Sequence, residues 1–196
     1  MVDFVYKTMK LPPGRREAHE LLCEQAGFFN ENSSEYLKAI FAKKNDKSFI
    51  QSAAATALLG VMLREKGLPE GKLTLRRLEN GRPYFERSDL DFSLSHTDNA
   101  VMCAVTEKGR IGCDIQCDRN YPQERLLRLA EFFMTERQLS EFSESADKTD
   151  FFYRLWTLKE ACLKCAGGNM KTADAVEAET AVFRELDCYC AICLRK

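Results

Sequence analysis

Apolar residues recur every three or four positions in six stretches of the chain, and each stretch predicts a helix with one buried face. Leu21, Leu22, Ala26, Phe28 and Phe29 mark the first, from Arg16 to Phe29. Tyr36, Leu37, Ile40 and Phe41 mark a second, with Ser33 or Ser34 as its cap. The third runs from Ser48 to Lys66 on a stripe of Ile50, Ala54, Ala57, Leu58, Val61 and Met62, and Gly67 with Pro69 ends it. Leu126, Leu127, Leu129 and Ala130 define a fourth from Gln123 to Phe133. Thr135 with Gln138 reads as a capping box opening a fifth, to Phe142. The sixth, Phe152 to Gly168, buries Phe152, Leu155, Trp156, Cys162, Cys165 and Ala166; Thr149 is its expected cap, and Gly167 with Gly168 its stop.

Strand patterns fill the intervals: Asp3 to Lys7, which alternates apolar and polar, then Leu73 to Leu75, Phe92 to His96, Val101 to Thr106, Ile111 to Gln116, Thr180 to Leu186 and Cys188 to Leu194. Asn80-Gly81 is a tight turn into Pro83, Tyr84 and Phe85. The order of a short strand, two modest helices, one long helix and then strands occurs twice, offset by roughly one hundred residues. The fold class is therefore α+β. The expected architecture is a pseudo-dimer of two similar halves, residues 1–108 and 109–196, with a site in the cleft between them.

Composition narrows the function. Among 196 residues, 29 basic and 30 acidic side chains nearly cancel, which excludes a broad nucleic-acid-binding surface. No apolar run approaches the roughly eighteen residues of a membrane span, and MVDFVYKTMK is not a secretory signal, so the expected location is the cytoplasm. Nine cysteines accompany only two histidines; Cys162 and Cys165 form a CxxC without a second pair at zinc-site spacing. Free, mostly buried thiols are expected.

Chemistry concentrates on two elements. Asp114 and Gln116 are two apart on a strand and share a face, and a carboxylate in such apolar surroundings needs donors or a cation. Glu160 and Lys164 are four apart on the sixth helix, with Lys159 expected beside them. That pair reads equally as a solvated ion pair worth a few tenths of a kcal/mol. Mg²⁺ needs only one or two carboxylates where substrate phosphates complete its shell, which would join Asp114 to Glu160 and give Lys164 a phosphate. His96 closes a strand, Arg82 follows a turn glycine in an exposed loop, and the lysines from 38 to 47 cluster before the third helix. Each of these, taken alone, reads as structural or as surface charge.

Together the pieces resemble a known family. Gly81-Arg82-Pro83, the strand end Ser95-His96, Gly112-Cys113-Asp114-Ile115-Gln116 and Trp156-Thr157-Leu158-Lys159-Glu160-Ala161-Cys162-Leu163-Lys164 stand in the order found in 4'-phosphopantetheinyl transferases of the longer, two-halved type that activates surfactin synthetase. Phe132-Phe133 followed by Glu136 adds a further element. Arg82 stands where the family usually has Lys, and Gln116 where Glu is frequent.

The resemblance implies transfer of the phosphopantetheine arm of coenzyme A to a serine of an apo acyl or peptidyl carrier protein, releasing 3',5'-ADP. It assigns Asp114, Gln116 and Glu160 to Mg²⁺ or Mn²⁺, with Glu160 as base and Lys164 as the charge stabiliser beside Asp114. Coenzyme A would meet Arg82, Ser95, His96, Lys159 and Lys164, with Lys38, Lys43 and Lys47 at its 3'-phosphate. Arg119, Arg125 and Arg128 would receive an acidic helix of the carrier, or form a solvated basic face. The expected state is a monomer without nucleic-acid or membrane partners. A second reading keeps the fold and the binding of carrier and coenzyme A but loses catalysis through Gln116. A phosphodiester hydrolase would want more ligand histidines than His19 and His96.

Overall fold

The computed structural model describes residues 3–196; Met1 and Val2, the start of MVDFVYKTMK, lie outside the described residues. Six helices follow the apolar periodicities: α1 (Arg15–Ala26), α2 (Ser34–Phe41), α3 (Asp46–Glu65), α4 (Gln123–Phe133), α5 (Glu136–Glu144) and α6 (Lys148–Ala166). Eight strands complete the mixed helix-and-sheet fold: β1 (Phe4–Lys10), β2 (Thr74–Arg77), β3 (Pro83–Glu86), β4 (Asp91–His96), β5 (Ala100–Thr106), β6 (Arg110–Cys117), β7 (Glu179–Glu185) and β8 (Cys188–Arg195). Among the described residues no helix is long and apolar enough to cross a membrane.

The strands form antiparallel sheets of order β1-β5-β4 and β6-β8-β7, with β2-β3 as a separate hairpin. In both three-stranded sheets the first strand pairs with the last, and the last pairs with the middle one. Strand β5 explains why the two sheets do not stand apart. Its residues Val101, Cys103 and Val105 enter the core beneath α1 and α3, while Ala100, Met102 and Ala104 on its other face pack with Ile111, Cys113 and Ile115 of β6. Both faces of β5 are buried, so the sequence there is an unbroken apolar run rather than an alternation.

Local chemistry sets the helix ends. Asn45 caps α3 by accepting from Ser48 N at 2.9 Å. Thr135 and Gln138 form the expected capping box on α5. Two expected caps differ. Neither Ser33 nor Ser34 caps α2 through its side chain; the Ser33 hydroxyl accepts instead from Leu75 N at 2.8 Å and ties the helix start to β2. Asp147, not Thr149, caps α6, because its carboxylate reaches Asp150 N at 2.9 Å and starts the helix two residues earlier.

The cysteines also depart from the expected all-thiol state. Cys117 and Cys188 face each other in the β6–β8 register, with Cα atoms 4.2 Å apart, and are joined as a disulfide. Six of the others, Cys103, Cys113, Cys162, Cys165, Cys190 and Cys193, are buried thiols, and Cys23 is an exposed one.

Helix α6 lies unusually close to β6. A Cβ on Gly112 would fall 2.0 Å from Ala161 O and 2.6 Å from Cys165 N, so only glycine lets the helix settle there. That approach brings the C-terminal turns of α6 to the β6 residues Cys113 and Asp114.

Candidate active site

Asp114 is the centre of the site. It is 2 % exposed, and burial of a carboxylate at that depth demands donors for both oxygens. Its Oδ1 accepts from Ser95 Oγ at 2.6 Å and from Lys164 Nζ at 2.7 Å, and its Oδ2 accepts from Gln116 Nε2 at 3.1 Å. The Lys164 ammonium also donates to Ser95 Oγ at 2.9 Å and to Cys113 O at 3.1 Å. Three elements thus converge: β4 supplies Ser95, β6 supplies Asp114 and Gln116, and α6 supplies Lys164. Burial lowers the Lys164 pKa, but the adjacent Asp114 carboxylate, helped by Glu160, outweighs it, so the ammonium is held charged above its ordinary value.

These residues open onto a cleft of about 540 Å³. Glu160 lines it one helical turn before Lys164. Burial, then the Asp114 charge, raises the Glu160 carboxyl above its ordinary value, with Lys164 opposing. His96 stands at the cleft wall at the end of β4. Desolvation first, then the Lys164 charge, lowers its pKa and keeps the imidazole neutral at neutral pH.

An aromatic wall faces this polar floor. Phe152, Tyr153 and Trp156 come from α6; opposite them, the Arg125 guanidinium lies 4.1 Å from the Tyr121 ring centroid. Arg119 N donates to Tyr153 Oη at 2.9 Å, and Arg119 Nη1 donates to the Tyr121 hydroxyl at 3.3 Å. Leu129 completes the wall from α4. Tyr121 and Tyr153 were not singled out from the sequence as site residues; Leu129 was expected only between the arginines of the basic face, and the one signal was the basic and apolar alternation of α4.

The cleft therefore gathers Asp114, Gln116, Glu160, Lys164, Ser95 and His96. The other expected coenzyme A contacts lie elsewhere. Lys159 is 0 % exposed and does not share the face of Glu160 and Lys164; its ammonium donates to Lys171 O at 3.0 Å and pairs with Asp174 Oδ1 at 2.8 Å. Consecutive helix positions diverge by about 100°, which carries Lys159 out of the cleft. Arg82 is not a free loop cation either. Its guanidinium pairs with Asp91 at 2.7 Å and donates to Ile111 O at 3.0 Å and to Lys164 O. Arg82 thereby ties the turn after β2 to β6 and α6, and it lines a neighbouring cavity with Gly81 and Leu163 rather than the cleft.

Lys38, Lys43 and Lys47 do not line the cleft. Lys43 donates to Ser48 Oγ at 3.0 Å, close enough for its charge to bear on His96. Lys47 pairs at 2.7 Å with Asp98, which also meets Arg119 at 3.6 Å, so these two lysines border the cleft mouth. Lys38 is exposed on α2. Arg119 and Arg125 line the cleft, whereas Arg128 points to solvent beside the exposed Leu127 and Phe132.

Among the described residues no group of three or more His, Cys, Asp or Glu side chains is arranged to hold a metal ion. The cleft offers two carboxylates and one amide. These are hard oxygen donors of the kind Mg²⁺ and Mn²⁺ accept, and the two carboxylates already raise the demand for a cation that Lys164 now meets.

Residues 110–190 match the family model of the 4'-phosphopantetheinyl transferase superfamily. The chain is 34% identical over 92 residues to the 4'-phosphopantetheinyl transferase AcpT of Salmonella typhimurium, covering 46% of this chain and 48% of that one. It is 27% identical over 147 residues to the 4'-phosphopantetheinyl transferase gsp of Aneurinibacillus migulanus, covering 69% and 60%. With a 4'-phosphopantetheinyl transferase of Bacillus subtilis it shares 29% over 143 residues, covering 67% and 62%. The chain thus spans between about half and just under two thirds of the length of these curated relatives. The matched stretch contains β6, the cleft wall of α4 and all of α6.

Proposed function

We propose that this chain transfers the 4'-phosphopantetheine arm of coenzyme A to a serine hydroxyl of an apo acyl or peptidyl carrier protein, releasing 3',5'-ADP. The observation that carries the reading is the cluster of Asp114, Lys164 and Ser95 facing Glu160 in one cleft, with Asp114, Glu160 and Lys164 on the segment that matches the transferase family model.

The reaction is attack by an alcohol on a pyrophosphate phosphorus, for which positioning and charge stabilisation supply most of the catalysis. Lys164 is suited to the pyrophosphate: its charge is secured, and its ammonium needs only to turn from Asp114 toward an incoming phosphate. Ser95 and neutral His96 offer hydrogen bonds to the same group from the end of β4. Glu160, which lines the cleft, accepts the proton of the carrier serine. The aromatic wall holds the apolar part of the pantetheine arm and excludes water from the floor. Asp114 and Glu160, with Gln116, would hold Mg²⁺ or Mn²⁺, which when bound supplies positive charge for the pyrophosphate oxygens.

The 3'-phosphate of coenzyme A is assigned to Lys43 and Lys47 at the cleft mouth, with Lys38 further out. The recurring strand order supports descent of residues 1–108 and 109–196 from a duplicated α+β unit. Because both cleft walls come from one chain, a monomer suffices. The carrier would dock on the exposed Arg128, Leu127 and Phe132. A cytoplasmic protein is the reading consistent with these partners.

Release of 3',5'-ADP, followed by chromatography, tests the reaction class. The expected result is release only when coenzyme A and an apo carrier are both present. Release from coenzyme A alone would identify a hydrolase, and no release with any carrier would oppose the transferase.

A further inference from the structure

Lys159 sits one residue before Glu160, yet it is wholly enclosed on another face of α6. A lysine ammonium in such a place must be held by acceptors, and the two that hold it come from the segment after the helix: Lys171 O at 3.0 Å and Asp174 Oδ1 at 2.8 Å. The second oxygen of Asp174 is also engaged, because Gln138 Nε2 of α5 donates to Oδ2 at 2.5 Å. Gln138 is itself fixed, since its Oε1 accepts from Thr135 N at 3.0 Å within the capping box that opens α5. One carboxylate thus joins three pieces of chain.

Those pieces frame the cleft. Helix α6 carries Trp156, Glu160 and Lys164; α5 follows directly on α4, which carries Arg125 and Leu129 on the facing wall. Met170, in the segment between Gly167 and Asp174, packs into the cluster of Leu126, Phe133 and Phe152 that joins α4 to α6. Fixing Asp174 therefore fixes the separation of the two walls and the rotation of α6 about its axis.

We propose that Lys159 is a positioning residue. Through Asp174 and Gln138 it locks α6 against α4 and α5, so that Glu160 is presented to Asp114, and it does not touch coenzyme A. The catalytic part of this inference rests on the transferase reading; the clamp itself does not.

The test uses Lys159→Met and the double variant Lys159→Met with Asp174→Leu, which replaces the ion pair by an apolar contact. Three quantities are compared with the wild-type chain: amide hydrogen exchange of residues 169–175 without ligand, the dissociation constant for coenzyme A, and turnover on an apo carrier. The single variant should speed exchange in that segment by about tenfold or more and lower turnover by about tenfold to a hundredfold, as expected for a misplaced reacting group. Its coenzyme A affinity should stay within about threefold, and the double variant should recover most of the exchange protection and turnover. Weakening of coenzyme A binding by about tenfold with exchange unchanged would overturn the proposal and make Lys159 a ligand. Should Lys159→Met fail to fold, Gln138→Ala removes one arm only. It must then loosen residues 169–175 without altering coenzyme A affinity, and unchanged exchange overturns the clamp. A wild-type chain without transfer to any carrier would defeat the transferase reading, while the exchange comparison still decides whether Lys159 holds this segment.

Discussion

Lys164 Nζ lies 2.7 Å from Asp114 Oδ1, so a helix cation and a strand carboxylate, fifty residues apart in sequence, share one part-buried hydrogen bond. The pair is asymmetric: the Asp114 side chain is 3% exposed and that of Lys164 is 30% exposed. Lys164→Ala therefore strands Asp114 with only Ser95 and Gln116 as donors. The expected loss of stability in thermal or denaturant unfolding is roughly 2–3 kcal/mol, below the 3–5 of a fully enclosed pair because water reaches the lysine side. Turnover should fall by on the order of a hundredfold or more, as for removal of a single electrostatic donor. Unchanged turnover in the variant would remove Lys164 from the proposed chemistry.

Glu160 has a signed pH dependence. Burial and Asp114 raise its carboxyl above the ordinary 4.5, so the fold favours its neutral form. That contribution to stability is complete below the ordinary value and is lost as pH rises through the raised one. Glu160→Gln, which mimics the neutral carboxyl, should melt higher than wild type at pH 8, with the gap closing toward about pH 4. A lower melting temperature for the variant at pH 8 would contradict the assignment.

Gly112→Ala should be among the most damaging single-methyl changes in the chain. The added Cβ meets Ala161 O at 2.0 Å and Cys165 N at 2.6 Å, both backbone atoms of α6, so no flexible side chain can yield. Helix α6 must lift from β6, which moves Glu160 and Lys164 away from Asp114. Destabilisation of about 3 kcal/mol or more is expected, at the upper end of overpacking effects. A variant that melts within a degree of wild type would show that the helix is not seated this closely.

The thiols offer a chemical count. Alkylation of the denatured, unreduced chain should modify seven cysteines and leave Cys117 and Cys188 protected. Reduction should cost about 2–4 kcal/mol of stability, because the bond closes a long loop in the unfolded chain. Nine modified residues without reductant would mean that the pair stands as adjacent thiols.

Much of this architecture was legible in the sequence because α4 and α5 have strong apolar periodicity, α3 is a long Ala- and Leu-rich run that is buried on most sides, and the strands are punctuated by turn residues. The floor of the cleft was legible too: Asp114, Gln116, Glu160 and Lys164 stand at same-face spacings on two well-marked elements. What could not be read depended on partners brought from afar. Lys159 is adjacent to Glu160 in sequence but meets Asp174, fifteen residues on, across a loop with no periodicity. Arg82 looked free until Asp91 and the Lys164 carbonyl closed around it. The Cys117–Cys188 bond required the β6–β8 register, which composition does not contain. Gly112 was visible as part of a motif, yet its steric role needed the path of α6.

The most direct measurement is the intact mass of an apo carrier protein after incubation with coenzyme A, Mg²⁺ and either the wild-type chain or Glu160→Gln. The account predicts a carrier heavier by one phosphopantetheine with wild type and an unmodified carrier at the same time with the variant. Equal modification by both proteins, or none by wild type across acyl and peptidyl carriers, would contradict it.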